Sequence, residues 1–176
     1  TWSCNAKANV PYETLKVLKD NGLRLFLVGY ESGNQQVLNN IKKGIRTDIA
    51  KQFTEDCHKL GIIIHGTFIV GLPGETKETI EQTIDYAQAL NPRTIQVSLP
   101  AAYPGTELHR QAIDNGWMVG GGLVGEDGVQ DSILEYDHLS SDDIFKAVET
   151  FYKRFYFRPR KMASLAFEML RDKDVM

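Results

Sequence analysis

A carboxylate, a hydroxyl and a glycine follow directly on an apolar run of strand length. Leu23-Arg24-Leu25-Phe26-Leu27-Val28-Gly29-Tyr30 leads into Glu31-Ser32-Gly33. Strands that are apolar on both faces belong to parallel sheets covered by helices. In such α/β proteins, ligands bind at the carboxyl ends of the strands. Glu31 therefore brings a charge to a binding rim, and a carboxylate there can accept two hydroxyl hydrogen bonds at once. A second unit of the same kind runs from Ile62 to Val70 and into Gly71-Leu72-Pro73-Gly74-Glu75. Its glycines either let the backbone pass close to a flat or phosphate-like group or simply make a tight turn. Side-chain alternation places His65, Thr67 and Ile69 on one face and Ile64, Phe68 and Val70 on the other. The second set is uniformly apolar and should meet helices. The first should face an interior, with Thr67 and Ile69 near its top. Lys43 follows a short helical segment, Asn34 to Ile41, and can swing back to the same rim as a compact positive charge. Beside Lys42 it also reads as half of a solvated pair.

Other chemistries find little support. The two cysteines, Cys4 and Cys57, lie far apart, and no metal-binding spacing occurs. Cys57 falls on the apolar stripe of a helix and reads as core. Cys4, on the first strand, could face a cavity, but no ligand role is assigned to it. A lyase using Glu31 as general base would need lysines or carboxylates at several strand ends, and they are missing. No catalytic residue and no metal ligand is assigned.

The elements that must position these groups follow from periodicity. Strands are expected at Trp2–Asn9, Leu23–Tyr30, Ile62–Val70 and Thr94–Leu99. Helices are expected from Tyr12 to Lys19, from a Thr47 cap to Leu60, from a Thr76 cap to Leu90, and from Thr106 to Asn115. This alternation means a parallel sheet with right-handed crossovers. Gly120–Gly122 and Gly125–Gly128 suggest a flexible break. Ser140-Ser141-Asp142-Asp143 then opens a helix carrying Ile144, Val148, Phe151, Tyr152 and Phe155 on one stripe. Arg158-Pro159 ends it, and Met162, Leu165, Ala166 and Met169 mark a last helix.

With 176 residues, 42% of them hydrophobic, the chain can bury a sizeable core. Its formal charge of -3 gives no reason to expect nucleic-acid binding. Lys153, Arg154, Arg158, Arg160 and Lys161 cluster locally, and read as a solvated face or as a contact for an anionic surface. No apolar run approaches the roughly 20 residues of a membrane span. The widely spaced cysteines fit a reducing compartment, so a cytoplasmic location is expected. The sequence begins Thr1-Trp2-Ser3-Cys4 and reads as an excised piece of a longer protein.

Taken together, Gly29-Tyr30-Glu31-Ser32-Gly33-Asn34-Gln35-Gln36-Val37-Leu38 and Ile41-Lys42-Lys43-Gly44 resemble the fourth strand and following helix of radical S-adenosylmethionine (SAM) enzymes. Ile69-Val70-Gly71-Leu72-Pro73-Gly74-Glu75-Thr76 resembles their fifth strand and its turn. Thr94-Ile95-Gln96-Val97-Ser98, with Tyr103-Pro104-Gly105-Thr106-Glu107-Leu108, resembles the sixth strand and its loop. The resemblance implies the carboxyl-terminal half of a partial (β/α)6 TIM-like barrel over residues 1–115, followed by a helical extension over 116–176. It implies that Glu31 binds the ribose hydroxyls of SAM and that Lys43 pairs with its methionine carboxylate. Thr67 and Ile69 would lie by the ribose and adenine, and backbone around Ser98 and Leu99 would support the adenine. Ser32 and Gly71 complete the implied cofactor-binding set.

The family's Cys-x3-Cys-x2-Cys loop, which binds a 4Fe–4S cluster, has no counterpart in this sequence. The fragment alone is therefore expected to be inactive and to self-associate through its open sheet or to fold its last helices over it. The intact protein would cleave SAM reductively, with an electron donor as partner, and the resulting radical would abstract hydrogen from an organic substrate. The subgroup it most resembles pairs a cobalamin-binding domain with the radical domain. The fine sequence is similar to proteins associated with hopanoid biosynthesis, which implies a lipid-linked substrate and a place at the membrane periphery. The alternatives are another radical SAM subgroup, such as a methyltransferase or methylthiotransferase, and a non-catalytic βα binding or scaffold module.

Overall fold

A computed structural model of the chain describes residues 1–119, 128 and 134–171. Most of the two glycine clusters expected to form a flexible break lies outside the described residues. The elements run β1 (Trp2–Ala6), α1 (Tyr12–Asp20), β2 (Leu23–Glu31), α2 (Gln35–Asn40), α3 (Thr47–Lys59), β3 (Ile63–Ile69), α4 (Lys77–Leu90), β4 (Thr94–Ser98), α5 (Glu107–Asp114), α6 (Ser141–Tyr156) and α7 (Pro159–Arg171). The strands form one parallel sheet in the order β1-β2-β3-β4. This is the α/β architecture expected from the apolar runs, an open arc of barrel with helices on its outer side.

Alternation within β3 sets the layers. Ile64 and Phe68 are 1% and 0% exposed and face the helices. Ile63, His65, Thr67 and Ile69 are half-buried on the inner face. On the inner face of β2, Leu27 is 37% exposed. Cys4 and Ala6 of β1 pack against the outer core, so Cys4 points away from the inner face. Cys57 is fully buried, and burial pushes its thiol up to about 12. It stays a neutral thiol at any ordinary pH and acts as a small apolar side chain.

Caps follow the sequence in two helices and depart from it in a third. The Thr76 hydroxyl accepts from the Thr79 amide, and the Thr79 hydroxyl accepts from the Thr76 amide, closing a reciprocal box. Ser140 accepts from the Asp143 amide at 3.1 Å. Thr47, expected to cap α3, is instead the first residue of that helix. Its amide is taken by the Gln35 side chain at 3.0 Å, a partner twelve residues upstream.

The helical extension shares the core of the sheet. Leu134, Leu139, Ile144, Phe151 and Phe155 are at most 1% exposed and join one apolar cluster with Val70, Ile84 and Leu99. The stripe of Ile144, Phe151 and Phe155 packs on the outer layer beside α4 rather than over the inner face, because its ring partner is the outward Phe68. Lys153 and Arg160 of the basic cluster are solvated as expected, but the other three are tied to α4 and its end. Arg154 pairs with Glu81 and Asp85, Arg158 donates to the Gln88 carbonyl and to Asn91 at the end of α4, and Lys161 donates to the Pro92 carbonyl while 8% exposed. Cations at a helix carboxyl end satisfy its last carbonyls and its dipole. On α7 the expected apolar position Met162 is 50% exposed. Among the described residues, no helix is long and apolar enough to cross a membrane.

Candidate functional site

The last turn of β2 is irregular. Register with β3 shifts between Gly29 and Glu31, and Glu31 adopts φ 63°. A side chain in the left-handed region costs on the order of 1–2 kcal/mol and persists only where its neighbours impose it. Both neighbours of Glu31 are anchored. Tyr30 is 2% exposed, its hydroxyl bonds Thr54 at 2.6 Å, and its ring stacks on Phe68 at 5.5 Å. Ser32 is 0% exposed, with its hydroxyl 3.0 Å from that of Thr83 and accepting from the Asn34 amide at 3.1 Å. Gly33 lies against α4, where an added Cβ would stand 2.9 Å from the Gln82 carbonyl. These contacts hold Glu31 at the rim. They also remove the Ser32 hydroxyl from the ligand-facing set, because it is buried and already partnered.

Glu31 meets Lys43 there, with Lys43 Nζ 2.5 Å from Oε1. The pair lies over Gly29, where an added Cβ would come 2.6 Å from Glu31 Oε1 and 3.0 Å from Lys43 Nζ. A side chain at this position would make the ends of both charged side chains shift. Gly29 is in register with Thr67, and Thr67 with Gln96. Ile69 is in register with Ser98. Adjacent strands are about 4.8 Å apart, so Glu31, Thr67, Ile69 and Ser98 form one arc across three strands. Leu99 is different: its side chain is 8% exposed and belongs to the outer core, which leaves only its backbone to the site. Sequence reasoning passed over Gly29 and Gln96. Strand register, once known, brings both to Thr67. The arc is open rather than a closed cavity. A hollow of about 560 Å³ lined by Gln88, Asn91, Arg158 and Lys161 lies at the opposite end of the strands.

The turn after β3 is built around Glu75, which is fully buried. Its Oε2 accepts from the Gly71 amide at 2.7 Å and the Leu72 amide at 3.0 Å, while Oε1 has no partner among the described residues. Burial pushes its carboxyl up to about 7, against the downward pull of the Leu72 and Gly71 amides. Gly71, expected to let the backbone approach a ligand, instead makes room for Ile144, whose Cγ2 would be 2.9 Å from an added Cβ. Its amide is taken by Glu75 and its carbonyl accepts from the Tyr136 hydroxyl at 2.8 Å. Gly71 thus shapes the rim and offers no free hydrogen-bonding group of its own.

The raised carboxyl makes a stability prediction. Between its unfolded value of 4.5 and its folded value near 7, Glu75 holds its proton more tightly when folded. Its contribution is therefore complete below the lower value and falls as pH rises through the higher one. Urea unfolding should show about 2 kcal/mol less stability from this group at pH 7 than at pH 5. Glu75→Gln should remove that slope. A variant with the same pH dependence as the unsubstituted chain would show that Glu75 does not titrate in this window.

The family model "Radical SAM superfamily" matches residues 1–87. Residues 1–87 belong to the radical SAM superfamily. An uncharacterized methyltransferase of Pyrococcus horikoshii is 30% identical over 169 residues, covering 96% of this chain and 37% of the relative. A bacteriochlorophyllide d C-8(2)-methyltransferase of Chlorobaculum tepidum is 25% identical over 163 residues, 86% of this chain and 36% of the relative. Among solved structures, the radical SAM methyltransferase TsrM of Kitasatospora setae, with cobalamin and a [4Fe-4S] cluster bound, superposes with a TM-score of 0.65 at 17% identity. That match covers 89% of this chain and 36% of TsrM, and at this identity it shows the fold alone. The chain spans little more than a third of the length of these two curated relatives.

Proposed function

We propose that this chain supplies the SAM-binding rim of a radical SAM methyltransferase. One observation carries the reading: Glu31 and Lys43 meet over a bare Gly29, flanked by Thr67 and Ile69. The donor set fits SAM. Glu31 accepts the ribose hydroxyls, Lys43 binds the methionine carboxylate, Ile69 offers the purine an apolar wall, and backbone at Ser98 and Leu99 supports the adenine edge. Glu31 and Lys43 neutralise each other as a pair, and SAM binding would exchange that contact for two contacts to the ligand. The residues do not fit an iron–sulfur cluster. Both cysteines are turned into the core, and no group of metal-binding side chains occurs among the described residues. The cluster, an electron donor and cobalamin belong, in this reading, to other parts of the whole protein. In the family, SAM is cleaved reductively to drive radical chemistry; the residues of this chain bind it, orient it and exclude water. Methyl transfer is favoured over lipid rearrangement because two of the three relatives that span more than four fifths of the chain are methyltransferases by name, the third being a magnesium-protoporphyrin IX monomethyl ester cyclase by name. A hopanoid acceptor rests on the resemblance of the sequence alone.

The test uses the full-length protein containing this chain, with its cluster reconstituted. Glu31→Ala should weaken SAM binding by about 2–4 kcal/mol, since hydrogen bonds to a charged acceptor are lost. Glu31→Gln keeps the shape, removes the charge and should fall between. Calorimetry should show the loss at unchanged iron content. Unaltered affinity in both variants would remove Glu31 from the site.

A further inference from the structure

We propose that Tyr136 and His138 are positioning residues for the SAM site, acting through the β3–α4 turn and resting on the reading of the rim given above. Residues 71–75 hold two glycines in left-handed conformation, Gly71 at φ 92° and Gly74 at φ 80°. Glycine loses more conformational freedom on folding than any other residue, so the turn relies on contacts to stay in one shape. From within, Glu75 ties the Gly71 and Leu72 amides. From outside, the extension closes on it at two carbonyls. The Tyr136 hydroxyl donates to the Gly71 carbonyl at 2.8 Å, and His138 Nε2 donates to the Glu75 carbonyl at 2.8 Å. Ile144 fills the place of the missing Gly71 side chain.

Tyr136 is itself fixed. It is 5% exposed, its ring meets Trp117 edge-on at 5.0 Å, and its backbone pairs with Leu139. The Glu135 amide donates to the Trp117 carbonyl at 2.8 Å, which joins this segment to the stretch that follows α5. On its other side the turn abuts α2, where an added Cβ at Gly74 would stand 2.8 Å from Asn40 Nδ2. The turn is thus clasped between the helix that leads to Lys43 and a segment more than sixty residues away in sequence. Tyr136 and His138 lie beyond the 1–87 span matched by the family model. They touch none of the rim residues Glu31, Lys43, Thr67 or Ile69 among the contacts described, so their effect on SAM passes through the backbone that follows Ile69.

The test compares Tyr136→Phe with Tyr152→Phe in the full-length protein. Tyr152 is a second extension tyrosine that makes no bond to the turn itself, accepting instead from the Val97 amide of β4 at 2.9 Å. Two readouts are needed: SAM affinity by calorimetry, and hydrogen exchange of the Gly71 and Leu72 amides without SAM. Tyr136→Phe should raise the SAM Kd about fivefold, the loss expected from one buried hydrogen bond, and should speed exchange at both amides. Tyr152→Phe should leave the Kd within about twofold. His138→Ala should weaken SAM binding, and His138→Gln, which keeps a donor, should restore most of it. Faster exchange with unchanged Kd would overturn the proposal, as would an equal loss of affinity in Tyr152→Phe. A full-length protein that binds no SAM would overturn the reading of the rim and this proposal with it. The exchange data, taken without SAM, would then still show whether the clasp holds the turn.

Discussion

Phe151→Ala should cost about 3–5 kcal/mol of folding stability, the range for emptying a buried aromatic site. Phe151 is 0% exposed and its ring lies 5.2 Å from that of Phe68. Phe68 in turn stacks on Tyr30 at 5.5 Å. Three rings therefore link α6, β3 and β2, and the last of them anchors the residue before Glu31. A loss of that size is a large part of the 5–15 kcal/mol typical of a domain. Urea unfolding measures it directly. Phe151→Leu keeps most of the volume and should cost less than about 1.5 kcal/mol. A loss under 1 kcal/mol for Phe151→Ala would mean that α6 does not pack on the sheet.

Replacing Tyr152 and Tyr156 together with phenylalanine should be nearly as costly. β4 is an edge strand, and its outer amides would otherwise lack partners. The Val97 amide donates to the Tyr152 hydroxyl and the Ile95 amide to the Tyr156 hydroxyl, each at 2.9 Å. The spacing makes this possible. Four helical residues rise about 6 Å, and two strand residues advance about 6.6 Å. Tyrosines at i and i+4 therefore reach strand amides two residues apart, and their rings stack at 6.3 Å and 5°. Each orphaned amide costs about 1–3 kcal/mol, so the pair should lose about 2–6 kcal/mol, less any coupling between neighbours. The bared edge should also pair with other copies. Sedimentation over a range of concentrations should show more association in the double variant than in the unsubstituted chain. Unchanged stability and unchanged association would refute the edge-capping role.

These two contacts also mark where sequence legibility ends. Features carried by neighbours in the chain were readable. The alternation in Ile62–Val70 gave the two faces of β3, and Thr76 and Ser140 announced their helices through bonds three residues long. The order of apolar runs and helical stretches gave the parallel sheet. What could not be read were choices of partner made across long separations. The stripe of Ile144, Phe151 and Phe155 was visible as apolar, but nothing in it said outer layer rather than inner face. The Tyr152 and Tyr156 hydroxyls, one helical turn apart beside the apolar stripe of an amphipathic helix, were the available signal that the helix meets exposed backbone. Arg154, Arg158 and Lys161 looked solvated because their partners, Glu81, Asp85, Gln88 and Pro92, lie on α4 and just after it. Ser32 looked like a ligand group until Thr83 claimed its hydroxyl. Gly71 signalled a close approach correctly, but the approaching group is Ile144.

The position of the candidate rim was more legible than its support. Glu31, Lys43, Thr67, Ile69 and Ser98 come together because strand ends in a parallel sheet share one rim, a rule that needs no coordinates. Gly29 could have been added by asking which position leaves room for two opposite charges to meet above the sheet.

A structure of the full-length protein with SAM bound is the most direct test of the proposed rim. The Glu31 carboxylate should then lie about 2.7–3.0 Å from the ribose hydroxyls, with Lys43 turned from Glu31 to the methionine carboxylate and the adenine beside Ile69. SAM bound elsewhere, with the Glu31–Lys43 pair still closed, would contradict the account.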